Sequence, residues 1–102
     1  MTHAIDWTPV TRADVDRAAA EYDRVGPHQF FAVHGFAPTT TYELVREGRT
    51  YPPKALLGAA YELATGRRLA PEEFEGGRAG AVRVLEGLGF TVRRQQHGTS
   101  RP

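Results

Sequence analysis

One stretch constrains the fold of this chain most: Tyr42-Glu-Leu-Val-Arg-Glu-Gly-Arg-Thr-Tyr-Pro-Pro-Lys-Ala-Leu-Leu-Gly-Ala-Ala-Tyr61. Two strand-like runs, Tyr42–Val45 and Arg49–Tyr51, flank a glycine-containing turn at Glu47-Gly48, which is the pattern of a β-hairpin. Pro52 and Pro53 follow at once and fit the first turn of a helix, where a missing N–H costs nothing. Lys54, the single lysine of the sequence, falls in that first turn. The positive end of a helix dipole disfavours a cation there. An anionic partner is one explanation for its presence.

The other elements fall on either side. Thr11 caps a first helix, with Asp14 at the capping-box position and Val10 and Val15 as a hydrophobic staple. Val15, Ala18, Ala19 and Tyr22 share one face. Arg12, Asp16, Arg17 and Asp23 look outward as a solvated face. Gly26-Pro27 stops this helix, and Pro27–His34 is a short second one closed by Gly35. The third helix runs from Pro53 to about Ala64, with Leu56, Leu57, Ala60, Leu63 and Ala64 as its apolar side and Gly66 at its end. Pro71–Phe74 reads as a turn. A last helix covers about Arg78–Leu88, weakened by Gly80 and Gly87 at about 1 kcal/mol each against Ala. Phe90–Arg94 is a final strand able to pair with the hairpin. Helices, a hairpin, two helices and a returning strand make an α+β domain with a three-stranded antiparallel sheet and about four helices. Element order is compatible with a winged-helix-like outline. The expected divisions are an N-terminal extension over 1–10, the domain over 11–94 and a disordered tail over 95–102.

With 102 residues the chain makes one domain with a single small core. It has no cysteine, so disulfides and thiolate metal sites are excluded. No apolar run approaches membrane-spanning length, and the first residues lack a signal-peptide pattern. A cytoplasmic location is expected. The net charge of +1 hides an asymmetry. Residues 1–45 set three arginines against six carboxylates, leaving −3, whereas residues 46–102 set ten cations against six, leaving +4. A cationic half can meet a phosphate backbone.

Catalysis finds little support. The one serine, Ser100, lies in the polar tail, so a Ser–His–acid triad is not expected. His3, His28, His34 and His97 show no metal-ligand spacing, and His34 is expected at the surface or as a cap near Gly35. No cofactor and no metal are expected. A metal-dependent nuclease needs clustered carboxylates, and no acid stands two residues before Lys54 to complete an acid–x–lysine signature. Anion binding is better served. Lys54 stands at one helix start, and Gly76-Gly77-Arg78 is expected to open another, where backbone N–H groups can face a phosphate. A tight turn into a packed helix explains Gly76-Gly77 better than a phosphate site does, and Glu75 opposes an anion there. Arg46 and Arg49 on the hairpin and Arg67 and Arg68 after the third helix are candidate backbone contacts. Arg93 and Arg94 are adjacent on a strand and point to opposite faces, so at most one joins a given patch. Tyr42, Tyr51 and Tyr61 can stack on bases, although Tyr61 suits the core better.

A set of short pieces in fixed order adds a resemblance. Tyr22-Asp-Arg-Val-Gly26, Phe30-Phe31, His34-Gly-Phe36, Tyr42-Glu-Leu-Val45, Gly48-Arg-Thr-Tyr-Pro-Pro-Lys-Ala55, Gly58-Ala-Ala60, Phe74-Glu-Gly-Gly77 and Leu88-Gly-Phe-Thr-Val92 run from Tyr22 to Val92, within a stretch of roughly residues 11–94 that the resemblance covers. Together they resemble the ScoMcrA-like N-terminal head domain, which precedes the recognition and HNH nuclease parts of modification-dependent restriction enzymes. The resemblance implies a role in defence against modified or foreign DNA, without nuclease activity in this domain. Two departures stand out. Pro53 occupies a position where the family often has serine before the lysine. Glu75 replaces a serine before Gly-Gly, and Arg78-Ala-Gly80 replaces polar residues after it.

The expected function is a non-catalytic DNA-recognition accessory module, with DNA, modified or not, as partner. Lys54, Arg46, Arg49, Arg67, Arg68, Arg78 and Tyr51 are its candidate contacts. The alternative is a module that docks onto a nuclease or another defence protein.

Overall fold

The computed structural model describes residues 5–37 and 41–95. Its elements are α1 (Arg12–Val25), α2 (Pro27–His34), β1 (Tyr42–Arg46), β2 (Arg49–Tyr51), α3 (Pro53–Thr65), a 3₁₀ turn (Pro71–Glu73), α4 (Ala81–Gly87) and β3 (Thr91–Arg94). The three strands form one antiparallel sheet in the order β2-β1-β3. Leu44 is fully buried and faces Tyr51 across one strand pair and Val92 across the other, so this row meets the core. The fold is a small α+β domain.

The hairpin turns on two residues. Glu47 has φ 52° and Gly48 has φ 78°, so both central positions are left-handed. That geometry matches the right-handed twist of the flanking strands. Only Gly adopts it at no steric cost, which is why Gly48 follows Glu47.

α1 begins with the expected capping box. The Thr11 hydroxyl accepts from the Asp14 N–H at 3.3 Å, and Asp14 Oδ2 accepts from the Thr11 N–H at 2.9 Å. Asp14 is buried and also pairs with Arg17. The backbone N–H of Thr11 is the main reason its carboxyl titrates below the ordinary range; burial opposes this, and Arg17 assists. A carboxylate with a lowered folded-state pKa stabilises the fold above its unfolded pKa and loses that contribution as pH falls through the folded value. Asp14→Ala should therefore cost about 1–2 kcal/mol at neutral pH. The difference from the parent should shrink below about pH 4, as read from urea midpoints across pH.

α3 is the central helix. Pro53, Ala55, Leu56, Leu57, Gly58, Ala59, Ala60 and Tyr61 are all buried, so its first two turns are covered except at Lys54. Leu63, expected on the apolar side, is instead 43% exposed near the end of the helix. Small residues let neighbours approach closely. A Cβ at Gly58 would collide with the ring of Phe36.

The expected helix over Arg78–Leu88 is shorter at its start and begins at Ala81. Residues 77–80 form a turn instead, held by the Ala81 N–H donating to Glu75 O at 2.7 Å and the Val82 N–H donating to Gly77 O at 3.2 Å. Gly76-Gly77 thus stands several residues before the helix and does not open it.

Segments beyond the expected boundaries also pack. Trp7 meets Tyr61 and Phe74 edge-on, with ring centroids 5.5 and 5.2 Å apart, and Val10 is buried. The expected tail lies outside the described residues except for Gln95, whose N–H donates to Thr41 O at 2.8 Å. Among the described residues no helix is long and apolar enough to cross a membrane.

Candidate nucleic-acid interface

Lys54 enters α3 directly after the two prolines that end the hairpin. Its stem lies against Gly76, where a Cβ would sit 3.1 Å from Lys54 Cδ. Its ammonium stands 5.3 Å from the centroid of the Phe74 ring. A lysine can cover apolar surface with its stem while its charged head reaches water. Lys54 and Gly76-Gly77, read from sequence as two separate anion sites, are walls of one cavity of about 270 Å³ shared with Thr41, Tyr42 and Pro53. The close approach of the lysine stem gives Gly76 a packing role.

Tyr42 forms the boundary to a second, cationic cavity. It is the first residue of β1, and its register partner on β3 is Arg94. The Arg94 guanidinium stands 5.9 Å from the Tyr42 ring centroid. On that side a cavity of about 180 Å³ is lined by Tyr42, Arg78, Arg83, Arg93 and Arg94, with Glu86 as its one carboxylate. Arg93 is already neutralised, because its Nε donates to Glu43 at 2.6 Å. Among the described residues, Lys54, Arg78, Arg83 and Arg94 pair with no carboxylate. Four cations from α3, the turn before α4, α4 itself and β3 therefore form an arc around one tyrosine.

The other expected contacts go elsewhere. Arg46 Nε pairs with Asp16 at 3.0 Å, and its Nη1 donates to the Tyr51 hydroxyl at 3.4 Å. Arg49 pairs with Asp23 at 3.2 Å. Tyr51 is 2% exposed, and its hydroxyl donates to Asp23 at 2.9 Å. Burial, then the bond to Asp23, pushes its phenol upward in pKa. These three residues clamp the hairpin onto α1, and none is offered on the arc. The outward charges of α1 are thus structural rather than merely solvated. Arg12 likewise stands 4.6 Å from the Phe90 ring centroid and donates to Leu88 O and Gly89 O. Arg67 pairs with Glu73 at 3.1 Å, and Arg68 donates to Val33 O at 2.6 Å. Of the expected set, Lys54 and Arg78 belong to the arc. Arg83, Arg94 and Tyr42 complete it.

His34 also departs from expectation. It is buried at the end of α2, with Nε2 3.1 Å from both Glu21 oxygens and Nδ1 3.4 Å from Glu62. It joins α1, α2 and α3. Losing these charge-assisted contacts in His34→Ala should cost about 2 kcal/mol, checked by chemical denaturation. Among the described residues no group of three or more His, Asp or Glu side chains is placed to hold a metal ion.

The family model for the ScoMcrA-like N-terminal head domain matches residues 8–94. No curated protein matches. The solved structure of the Type IV phosphorothioation-dependent restriction endonuclease ScoMcrA is similar, with a TM-score of 0.64 and 35% sequence identity over 87% of this chain. The match covers 14% of that endonuclease chain.

Proposed function

Because the chain belongs to the ScoMcrA-like N-terminal head-domain family, we propose that it is a non-catalytic DNA-binding module serving the restriction of modified or foreign DNA in the cytoplasm. One observation carries the reading: the convergence of Lys54, Arg78, Arg83 and Arg94 around Tyr42, without carboxylate partners among the described residues. Cations that a fold does not neutralise suit the phosphates of a duplex, and they position a protein without reading sequence. The separation of roles among the cations supports the same surface. Those bound to α1 maintain the hairpin, and those near Tyr42 remain for a partner.

The similar endonuclease is phosphorothioation-dependent, so phosphorothioated duplex is the first modified ligand to compare with ordinary duplex. Four phosphate contacts predict a log–log slope of affinity against salt of roughly −3.6 on B-DNA. Fluorescence anisotropy with a labelled duplex measures it. Failure to bind either duplex at low salt would sink the proposal. A protein partner that co-purifies after nuclease treatment, with DNA binding absent, would establish docking instead.

A further inference from the structure

A larger cavity of about 490 Å³ opens between α2 and the base of the hairpin and shares Tyr42 with the two cavities of the cationic arc. We infer that it receives one unstacked nucleobase from a DNA strand whose phosphates lie on the arc. The inference rests on the DNA-binding reading and extends it to a base-holding site.

Three properties of the cavity select this occupant. Its size falls within the range of small-molecule sites, roughly 300–1,000 Å³. Its walls include the half-buried aromatic residues Phe31 and Tyr42, a residue type that stacks on planar heterocycles. No lysine or arginine lines it, and its carboxylate, Glu43, is already paired with Arg93. A phosphate would meet no lysine or arginine inside, only His28, whereas a neutral ring would lose little on entry. Polar atoms needed to hold the edge of such a ring are present. Thr50 supplies a hydroxyl. Gln95 lines the cavity as well.

Tyr42 makes the geometry continuous. It lines this cavity, the Lys54 cavity and the arginine cavity. A nucleotide can therefore place its base in the larger cavity and its phosphate in a neighbouring cationic one, next to Tyr42. Extruding a base from a duplex costs unstacking and unpairing, least where the base is already mismatched.

The test compares matched and singly mismatched duplexes of one sequence by anisotropy, using the parent protein and Thr50→Trp. Thr50 is exposed on β2 beside the cavity, so a bulky, strand-compatible residue there should fill the entrance without disturbing the core. The parent should bind the mismatched duplex about tenfold more tightly. Thr50→Trp should abolish that preference while binding matched duplex within about twofold of the parent. Equal affinity of the parent for both duplexes overturns the base site and leaves DNA binding standing. A preference that survives Thr50→Trp also overturns it, because mismatch flexibility outside this cavity then explains the preference. No binding to either duplex overturns the DNA-binding reading and this inference with it.

Discussion

Gly80→Ala should destabilise the protein by about 3 kcal/mol, lowering Tm on the order of 10 °C or more for a domain of this size. A Cβ at Gly80 would run into the backbone carbonyl of Glu75. Backbone cannot yield as a side-chain tip can, so the turn from Glu75 to Ala81 has to open. Opening it breaks the bond from the Ala81 N–H to Glu75 O. Helix propensity alone predicts the opposite sign, since Ala is favoured over Gly by about 1 kcal/mol inside a helix. Gly87→Ala supplies the control: it lies in α4, and a Cβ there would meet nothing within 4 Å. That variant should be stabilised by up to about 1 kcal/mol. Melting curves for the pair separate the effect of close packing from that of propensity. If Gly80→Ala melts with the parent, the turn is not held as described.

The same glycine shows where local sequence patterns stop being informative. Capping, periodicity and turn chemistry act over a few residues. On those grounds the Thr11–Asp14 box, the Glu47-Gly48 turn and the proline entry to α3 were legible. The start of α4 was not, because Gly80 is shaped by a carbonyl five residues earlier, inside a turn without periodicity. The arc was half legible for a related reason. Lys54 stands out as the single lysine at a helix start, and Arg78 sits beside a Gly-Gly turn. Arg94 joins them through its register with Tyr42, and Arg83 through the approach of α4 to β3. Neither relation is local. Arg46 and Arg49 looked free because their partners, Asp16 and Asp23, lie about thirty residues away in α1. Glu21 and Glu62 lie 13 and 28 residues from His34, and only the packing of three helices brings them to it.

The division between structural and free cations predicts opposite behaviour for two sets of charge removals. Lys54→Met, Arg78→Gln and Arg94→Gln together should leave stability within about 1 kcal/mol of the parent. Methionine keeps an apolar stem over Gly76, and the principal local loss at Lys54 is the ring contact with Phe74, worth about 0.5–1 kcal/mol at a partly exposed site. Duplex affinity should fall by at least about 3 kcal/mol, since each charge-assisted phosphate contact contributes roughly 1–3. The salt slope should shrink by roughly 2.7, leaving little beyond the contribution of Arg83. Arg46→Gln with Arg49→Gln should do the reverse. The pair with Asp16 and the bond to the Tyr51 hydroxyl both involve Arg46, which is largely covered, so stability should drop by about 1–2 kcal/mol. The salt slope of the folded variant should stay near the parent value. One preparation of each variant, carried through a denaturant titration and a salt titration of duplex binding, decides between them. A hairpin variant that keeps its stability but loses the salt slope would move the DNA surface to β1–β2 and leave the arc around Tyr42 without a role in binding.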